Sequence, residues 1–349
     1  MRAVFVINLP VPDIVEAGVV TTEFAIVIPL LDDWAALERL LGEIAHIRPP
    51  SSVRFHVMVI DDGSSQRPPN GLAALPHGLI WSIEIVHLAV NLGHQRAIAV
   101  GLSLLAERSD IQAVLVMDAD GEDRPSDIPT LITEAIRLPT FCVLARRAHR
   151  SETASFRLGY SLYKVAFKVL TGKQINFGNF CVLPMDAVKR LVRMPDLWNH
   201  LPAAIIRSRL PTTAIPIDRG KRYDGISRMN TASLILHGLS ALSVYADLAF
   251  TRVFLAALGA SAMTVVSMLA VVAIRFLSGL AIPGRTSTVF GDLVILLAIS
   301  LVTILAITMI TLASRSYRPI IPLTDAPSFI VDRTVLLSAS TPPVPVSAE

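Results

Sequence analysis

The stretch Ala113-Val-Leu-Val-Met-Asp-Ala-Asp-Gly-Glu-Asp-Arg-Pro125 decides the fold, because an apolar, Val-rich run stops abruptly at a crowd of carboxylates. A short apolar run bounded by turn residues reads as a buried strand. Working outward, Phe24 to Pro29, Arg54 to Ile60 and Ile83 to Leu88 read the same way, and Phe141 to Ala145 reads as a further strand. Between them, Trp34 to Ile47 and His94 to Arg108 carry helical apolar spacing. Strands alternating with helices predict an α/β domain with a mostly parallel sheet. In such sheets ligands sit beyond the carboxyl ends of the strands. Those ends are acidic here: Asp61-Asp62-Gly63-Ser64-Ser65 after the second strand, and Asp118 to Asp123 after the fourth. Clustered carboxylates repel unless a cation or a donor-rich ligand compensates them. Mg²⁺ and Mn²⁺ take oxygen ligands, and Mg²⁺ typically uses one or two carboxylates with substrate phosphates. Asp118 and Asp120 are therefore the metal candidates.

The chain has 349 residues, of which 52% are hydrophobic and 17% charged, which is too apolar for disorder and too poor in charge for an ordinary soluble protein. Two uncharged runs explain the excess. Val253 to Ile274 and Leu293 to Ser314 are 22 residues each, about 33 Å as helices and long enough to cross a hydrocarbon core of about 30 Å. They predict a transmembrane hairpin. Leu234 to Phe250, with His237, Ser240, Ser243 and Asp247 at spacings of three or four, suits an amphipathic helix at the interface. Ala3 to Leu9 is apolar but ends at Pro10 without a cleavage pattern, so it does not read as a signal peptide. Arg252, Arg315 and Arg318 outside the hairpin, against Arg275 and Arg285 in its connection, lean toward cytoplasmic termini.

Charge is distributed unevenly: residues 1–140 carry net −9, residues 141–230 net +11, and residues 231–349 net +1. An acidic block suits a cation, and a basic block suits phosphates or an anionic membrane surface. Only Cys142 and Cys181 occur, without CxxC spacing, so neither a zinc site nor a disulfide framework is supported. The domain plan is an extension over 1–22, an α/β domain over 23–232, an interfacial helix over 233–252, the hairpin over 253–314, and a flexible proline-rich tail over 315–349.

The ordered set Ile28-Pro29, Asp61 to Ser64 (DDGS), Asn91 to Gly101 (NLGHQRAIAVG) and Met117 to Pro125 (MDADGEDRP) resembles family 2 glycosyltransferases of the GT-A fold. Arg146 to Glu152, Gly178-Asn179-Phe180 and Arg219 to Ser227, followed by a membrane hairpin, resemble the polyprenyl-phosphate branch, which includes dolichol-phosphate mannose synthases and bacterial undecaprenyl-phosphate glucosyltransferases. The resemblance implies nucleotide contacts at Pro29, Asp33, Asp62 and Asp118, and a metal, Mg²⁺ or Mn²⁺, on Asp118 and Asp120 with Glu122 as a third ligand. It implies a catalytic set of Asp118, Asp120, Arg219 and Arg222. Arg146, Arg150, Arg157, Arg219, Arg222 and Ser227 are the candidates for the acceptor phosphate, since guanidinium groups grip phosphate bidentately.

Two departures stand out. Leu30-Leu31-Asp32-Asp33 replaces the aromatic and Asn-Glu common after the first Pro, and Asn179 stands where the branch commonly has Asp. An amide cannot take a proton, so Asn179 can only orient a group. A phosphate monoester with a second pKa of about 6 is already mainly dianionic at pH 7 and needs no base. The expected activity is metal-dependent, inverting transfer of a hexose-type group from a nucleotide sugar to a polyprenyl phosphate, by a multi-pass inner-membrane protein with its catalytic domain in the cytoplasm. The alternatives are transfer to a hydroxyl of a glycolipid or polysaccharide, with Asp123 or Asp218 as base, and an inactive nucleotide-binding scaffold. No nucleic-acid partner is expected, and self-association stays open.

Overall fold

The computed structural model describes residues 21–49, 52–69, 71–72, 78–147, 154–223, 231–277 and 284–338. Its centre is a mixed sheet of eight strands. In chain order these are β1 (Thr22–Leu30), β2 (Val53–Asp61), β3 (Ile80–Leu88), β4 (Ala113–Val116), β5 (Cys142–Arg147), β6 (Cys181–Pro184), β7 (Thr212–Ile217) and β8 (Ile330–Ser338). They lie in the order β7-β5-β6-β4-β1-β2-β3-β8. The expected strands β1 to β5 all form, and β1, β2, β3 and β4 pair in parallel. β4 is buried throughout, as its unbroken apolar run requires.

Helices cover both faces. α1 (Trp34–Ala45) and α3 (Ile128–Arg137) pack on one, and α2 (His94–Leu105) with α5 (Met185–Leu191) and α6 (Leu201–Ser208) on the other. α2 lies very close to the sheet because Gly101 has no side chain. A Cβ there would come within 2.6 Å of Val27 Cγ1.

Three strands escape the sequence reading. β6 has four residues and runs antiparallel between β4 and β5. β7 is an edge strand with alternating exposure and tolerates Pro216 because an edge need not donate on both sides. β8 corrects the expectation of a flexible tail over 315–349: residues 330–338 pair antiparallel with β3. The prolines concealed it. Pro322 opens the short helix α10 (Pro322–Asp325) and Pro327 lies in a 3-10 turn, positions where a missing N–H costs nothing. The following Ile330-Val331 and Val335-Leu336-Leu337 are ordinary strand formers.

The single interfacial helix expected over 233–252 is also corrected. α7 (Thr231–Ser243) ends, and α8 (Ala246–Leu277) begins after a turn at Val244-Tyr245. The reason is core packing: Tyr245 is 1% exposed, donates its hydroxyl proton to the Ala203 carbonyl at 3.2 Å, and meets Phe167 of α4 (Ala154–Thr171) edge-on. Arg207 then fastens the start of α8 through Asp247 at 3.0 Å and reaches Asp196 at 3.2 Å.

Both apolar runs form long helices, α8 and α9 (Arg285–Ser316), long and apolar enough to cross a membrane. They pack together with Ser261 and Ser300 sharing a buried hydrogen bond at 2.7 Å. Met263, Leu269 and Val302, among others, project outward from them.

Candidate active site

The residues that follow β1 and β4 meet at one acidic centre, and the sequence around each end explains how it is held. After β4, the Asp123 carboxylate accepts the Asp118 N–H at 2.9 Å, and the Asp120 carboxylate accepts the Glu122 N–H at 3.0 Å. The loop thus folds around its own acids. Gly121 adopts φ +84°, which a residue with a Cβ rarely does, and a Cβ there would strike the Tyr223 ring at 2.8 Å.

A segment from a hundred residues further along completes the loop. Gly220 N–H donates to the Glu122 carbonyl at 2.8 Å and Tyr223 N–H to the Asp120 carbonyl at 2.9 Å. Tyr223 also donates its hydroxyl proton to Glu43 at 2.7 Å, while Arg39 lies 4.3 Å over its ring. This backbone pairing brings in the two arginines. Arg222 stands 3.3 Å from Asp33 and 3.6 Å from Asp120, and Arg219 forms an ion pair with Glu122. Burial, then the charge of Asp118, push the Asp120 pKa up to about 6 against the pull of Arg222 and Arg219.

On the other side stands His94, the first residue of α2. Its Nε2 lies 3.2 Å from Asp118 and 2.9 Å from the Asn179 amide nitrogen. Asn179 in turn accepts from Gln95 at 2.9 Å, and Gln95 accepts the Leu201 N–H at 2.7 Å. Burial lowers the His94 pKa, but Asp118, Asp123 and Asp120 outweigh it and the net shift is upward. Asn179 therefore orients a neighbour, as its chemistry demanded. His94 follows the Asn91 to Gly93 turn directly, which sets it beside Asp118. Nothing local marked Tyr223.

Two nucleotide candidates, Pro29 and Asp62, are buried. Asp62 is 3% exposed, and its two oxygens accept the N–H groups of Leu92 at 2.7 Å and Gly93 at 2.9 Å. It clamps the β2 end to the turn before α2. Pro29 is buried within β1. Asp61 likewise faces inward, holding Ser64 N–H at 2.9 Å and His87 at 2.8 Å. Asp32, at φ +52°, caps the DDGS loop through the N–H groups of Ser65 and Gln66. Asp33 joins the cluster through Arg222 at 3.3 Å.

Among the acceptor candidates, Arg219 and Arg222 join the carboxylates. Arg146 is exposed near the end of β5, in register with Pro216 of β7. Arg150 and Ser227 lie outside the described residues, and Arg157 lies in α4 with its side chain outside them. Among the described residues no three His, Cys, Asp or Glu side chains converge as a ready metal cage. Glu122, expected as a third ligand, is engaged by Arg219. Asp118 and Asp120 still fit a divalent ion: each raises the other's energy, and two carboxylates are the usual protein share of a metal that also binds phosphates. Cys142 and Cys181 are buried in adjacent strands, their thiols pushed up by desolvation, Cys142 to about 12.

Comparison with known proteins adds family information. Residues 25–191 match the model of Glycosyl transferase family 2. An uncharacterized glycosyltransferase of Synechocystis sp. is 23% identical over 212 residues, covering 60% of this chain and 65% of its own length. An undecaprenyl-phosphate 4-deoxy-4-formamido-L-arabinose transferase of Shewanella sediminis is 26% identical over 215 residues, 60% of this chain and 63% of its own. The chain thus spans less than two thirds of the length of these two relatives. Among solved structures, glucosyl-3-phosphoglycerate synthase from Mycobacterium tuberculosis, in complex with Mn²⁺, uridine diphosphate and phosphoglyceric acid, superposes with a TM-score of 0.46 at 14% identity, over 65% of this chain and 78% of that one.

Proposed function

We propose, from the premise that residues 25–191 are a family 2 glycosyltransferase domain, that the protein transfers a hexose-type group from a nucleotide sugar to a polyprenyl phosphate at the cytoplasmic face of the inner membrane, with inversion. The observation that carries this reading is Arg222 set between Asp33 and Asp120, with Arg219 on Glu122. Phosphate-gripping groups thereby stand at the acids that suit a metal-bound diphosphate. The relative named for undecaprenyl-phosphate transfer supports the acceptor class, and the two long apolar helices support its delivery from a bilayer.

In this reading Asp118 and Asp120 would hold Mg²⁺ or Mn²⁺, which would supply positive charge to offset that of the nucleoside diphosphate leaving group. The lipid phosphate oxygen forms a bond to the anomeric carbon as the bond from that carbon to the diphosphate breaks. No proton has to move, because the phosphate is already mainly dianionic. Arg219 and Arg222, released from Glu122 and Asp120, orient the acceptor and offset charge on the phosphates. His94 and Asn179 fix Asp118 from the far side.

Transfer to a hydroxyl would call for a base, and Asp123 is a poor one: it is buried and spends an oxygen on the Asp118 N–H. The test is a panel of labelled nucleotide sugars offered with undecaprenyl or dolichyl phosphate, with the matching alcohols, and with a polysaccharide. Label in the organic phase with the phosphates alone is the expected result. Label on the hydroxyl acceptors would overturn it.

A further inference from the structure

The segment after α9 returns the chain from the apolar hairpin to the sheet, and on the way it walls a groove. This groove, about 440 Å³, is lined by Leu92, Arg96, Trp198, Ile320 and Phe329 among others. Ile320 stands four residues past Ser316, the last residue of α9, and is 39% exposed. The wall is fixed by hydrogen bonds. Leu323 N–H donates to the Val192 carbonyl at 2.9 Å, Ile321 N–H to the Asp325 carboxylate at 2.7 Å, and Ala89 N–H to the Phe329 carbonyl at 2.9 Å. Phe329 and Trp198 meet with ring centroids 5.3 Å apart.

The opposite wall belongs to the turn and first turn of helix beside the acidic centre. Leu92 is held by Asp62, and Arg96 sits two residues after His94, which touches Asp118. The Arg96 guanidinium lies 6.0 Å from the Trp198 ring centroid and forms no ion pair with a described residue. One side of the groove therefore adjoins the end of an apolar helix, and the other adjoins the α2 N-terminus that carries His94. Its lining is largely apolar and aromatic, with Asn199 and the Arg96 cation as its polar members.

A nucleotide sugar has no apolar chain with which to cover Leu92, Ile320 and Phe329. A phosphorylated isoprenoid has one, and its phosphate must reach the carboxylates while its chain returns to the bilayer. We infer that the groove receives the isoprene units nearest the phosphate of the lipid acceptor, with Arg96 toward the phosphate end. Its volume is in the range of ordinary ligand pockets, about 300 to 1,000 Å³. The inference rests on the lipid-phosphate reading and adds to it a subsite built by the returning C-terminal segment.

Photocrosslinking tests occupancy without turnover. Undecaprenyl phosphate carrying a diazirine on the isoprene nearest the phosphate, added to the full-length protein in vesicles, should label peptides containing Trp198, Ile320 or Phe329. Adducts confined to α4 and α7 would overturn the groove. The kinetic arm uses Ile320→Trp, which fills the groove from an exposed position, and Arg96→Gln. Each should raise the KM for undecaprenyl phosphate about tenfold while leaving the Kd of the nucleotide sugar unchanged. Normal lipid KM in both, with a wild-type protein that transfers sugar, sinks the groove alone. A wild-type protein that transfers to no lipid phosphate and takes up no probe sinks the underlying reading as well.

Discussion

Replacing Asp62 by Asn exchanges one oxygen for an NH₂ group and leaves the shape almost unchanged. In the native loop both oxygens accept backbone protons, from Leu92 at 2.7 Å and Gly93 at 2.9 Å, at a site only 3% exposed. An amide keeps one acceptor and turns the other into a donor facing a donor. A hydrogen bond to a charged group contributes about 1.5 to 3 kcal/mol. Relief of the buried charge offsets part of the loss, since desolvation already holds the Asp62 pKa above its ordinary value. A net loss of about 2 kcal/mol lowers the melting temperature of a domain this size by roughly 4 to 8 °C. Thermal unfolding in detergent, with hydrogen exchange at Leu92 and Gly93, reads both effects. Unchanged melting and exchange, with only the donor KM raised, would refute the clamp and return Asp62 to the nucleotide site.

Further predictions follow from the same contacts. Asp120→Asn should abolish most transfer and weaken Mn²⁺ binding measured by electron paramagnetic resonance, with the melting temperature preserved. Arg222→Lys keeps the charge but loses the planar fork, so kcat/KM for the lipid should fall roughly 10- to 150-fold; equal activity would remove Arg222 from the acceptor site. Truncation after Ser316 removes β8 and the buried Ala326, exposing the β3 edge, so the protein should aggregate or lose its cooperative melt; a monodisperse, stable product would contradict the strand pairing. Burial lowers the His56 pKa from 6.5 despite its bond to Glu23. The unfolded chain then binds the extra proton more readily, so stability should fall as pH drops through about 6.5, and His56→Gln should flatten that slope.

The sequence spoke clearly wherever a structural cause was local. β1, β2 and β4 are runs of Val and Ile ended by acids, and their bounds follow from that contrast. β8 was hidden because its partner lies some 250 residues away, as the pairing of His87 with Asp332 illustrates, and prolines dominated its neighbourhood. The same distinction governs the site. Asp118 and Asp120 were legible from a strand end, whereas the roles of Arg219, Arg222 and Tyr223 depend on a chain segment folding back over Gly121. The bonds of Asp62 to Leu92 and Gly93 were not legible either, because they join two loops 30 residues apart.

The central claim is that the sugar ends on a lipid phosphate, and phosphorus-31 NMR of the purified lipid product tests it most directly. A monoester has a second pKa of about 6, so the acceptor's resonance moves between pH 5 and 8, whereas a sugar phosphodiester has no proton to lose there. The account predicts a new resonance whose shift is independent of pH, appearing at the expense of the acceptor's signal. A product that retains the titrating monoester signal, with the sugar attached elsewhere or released free, would contradict it.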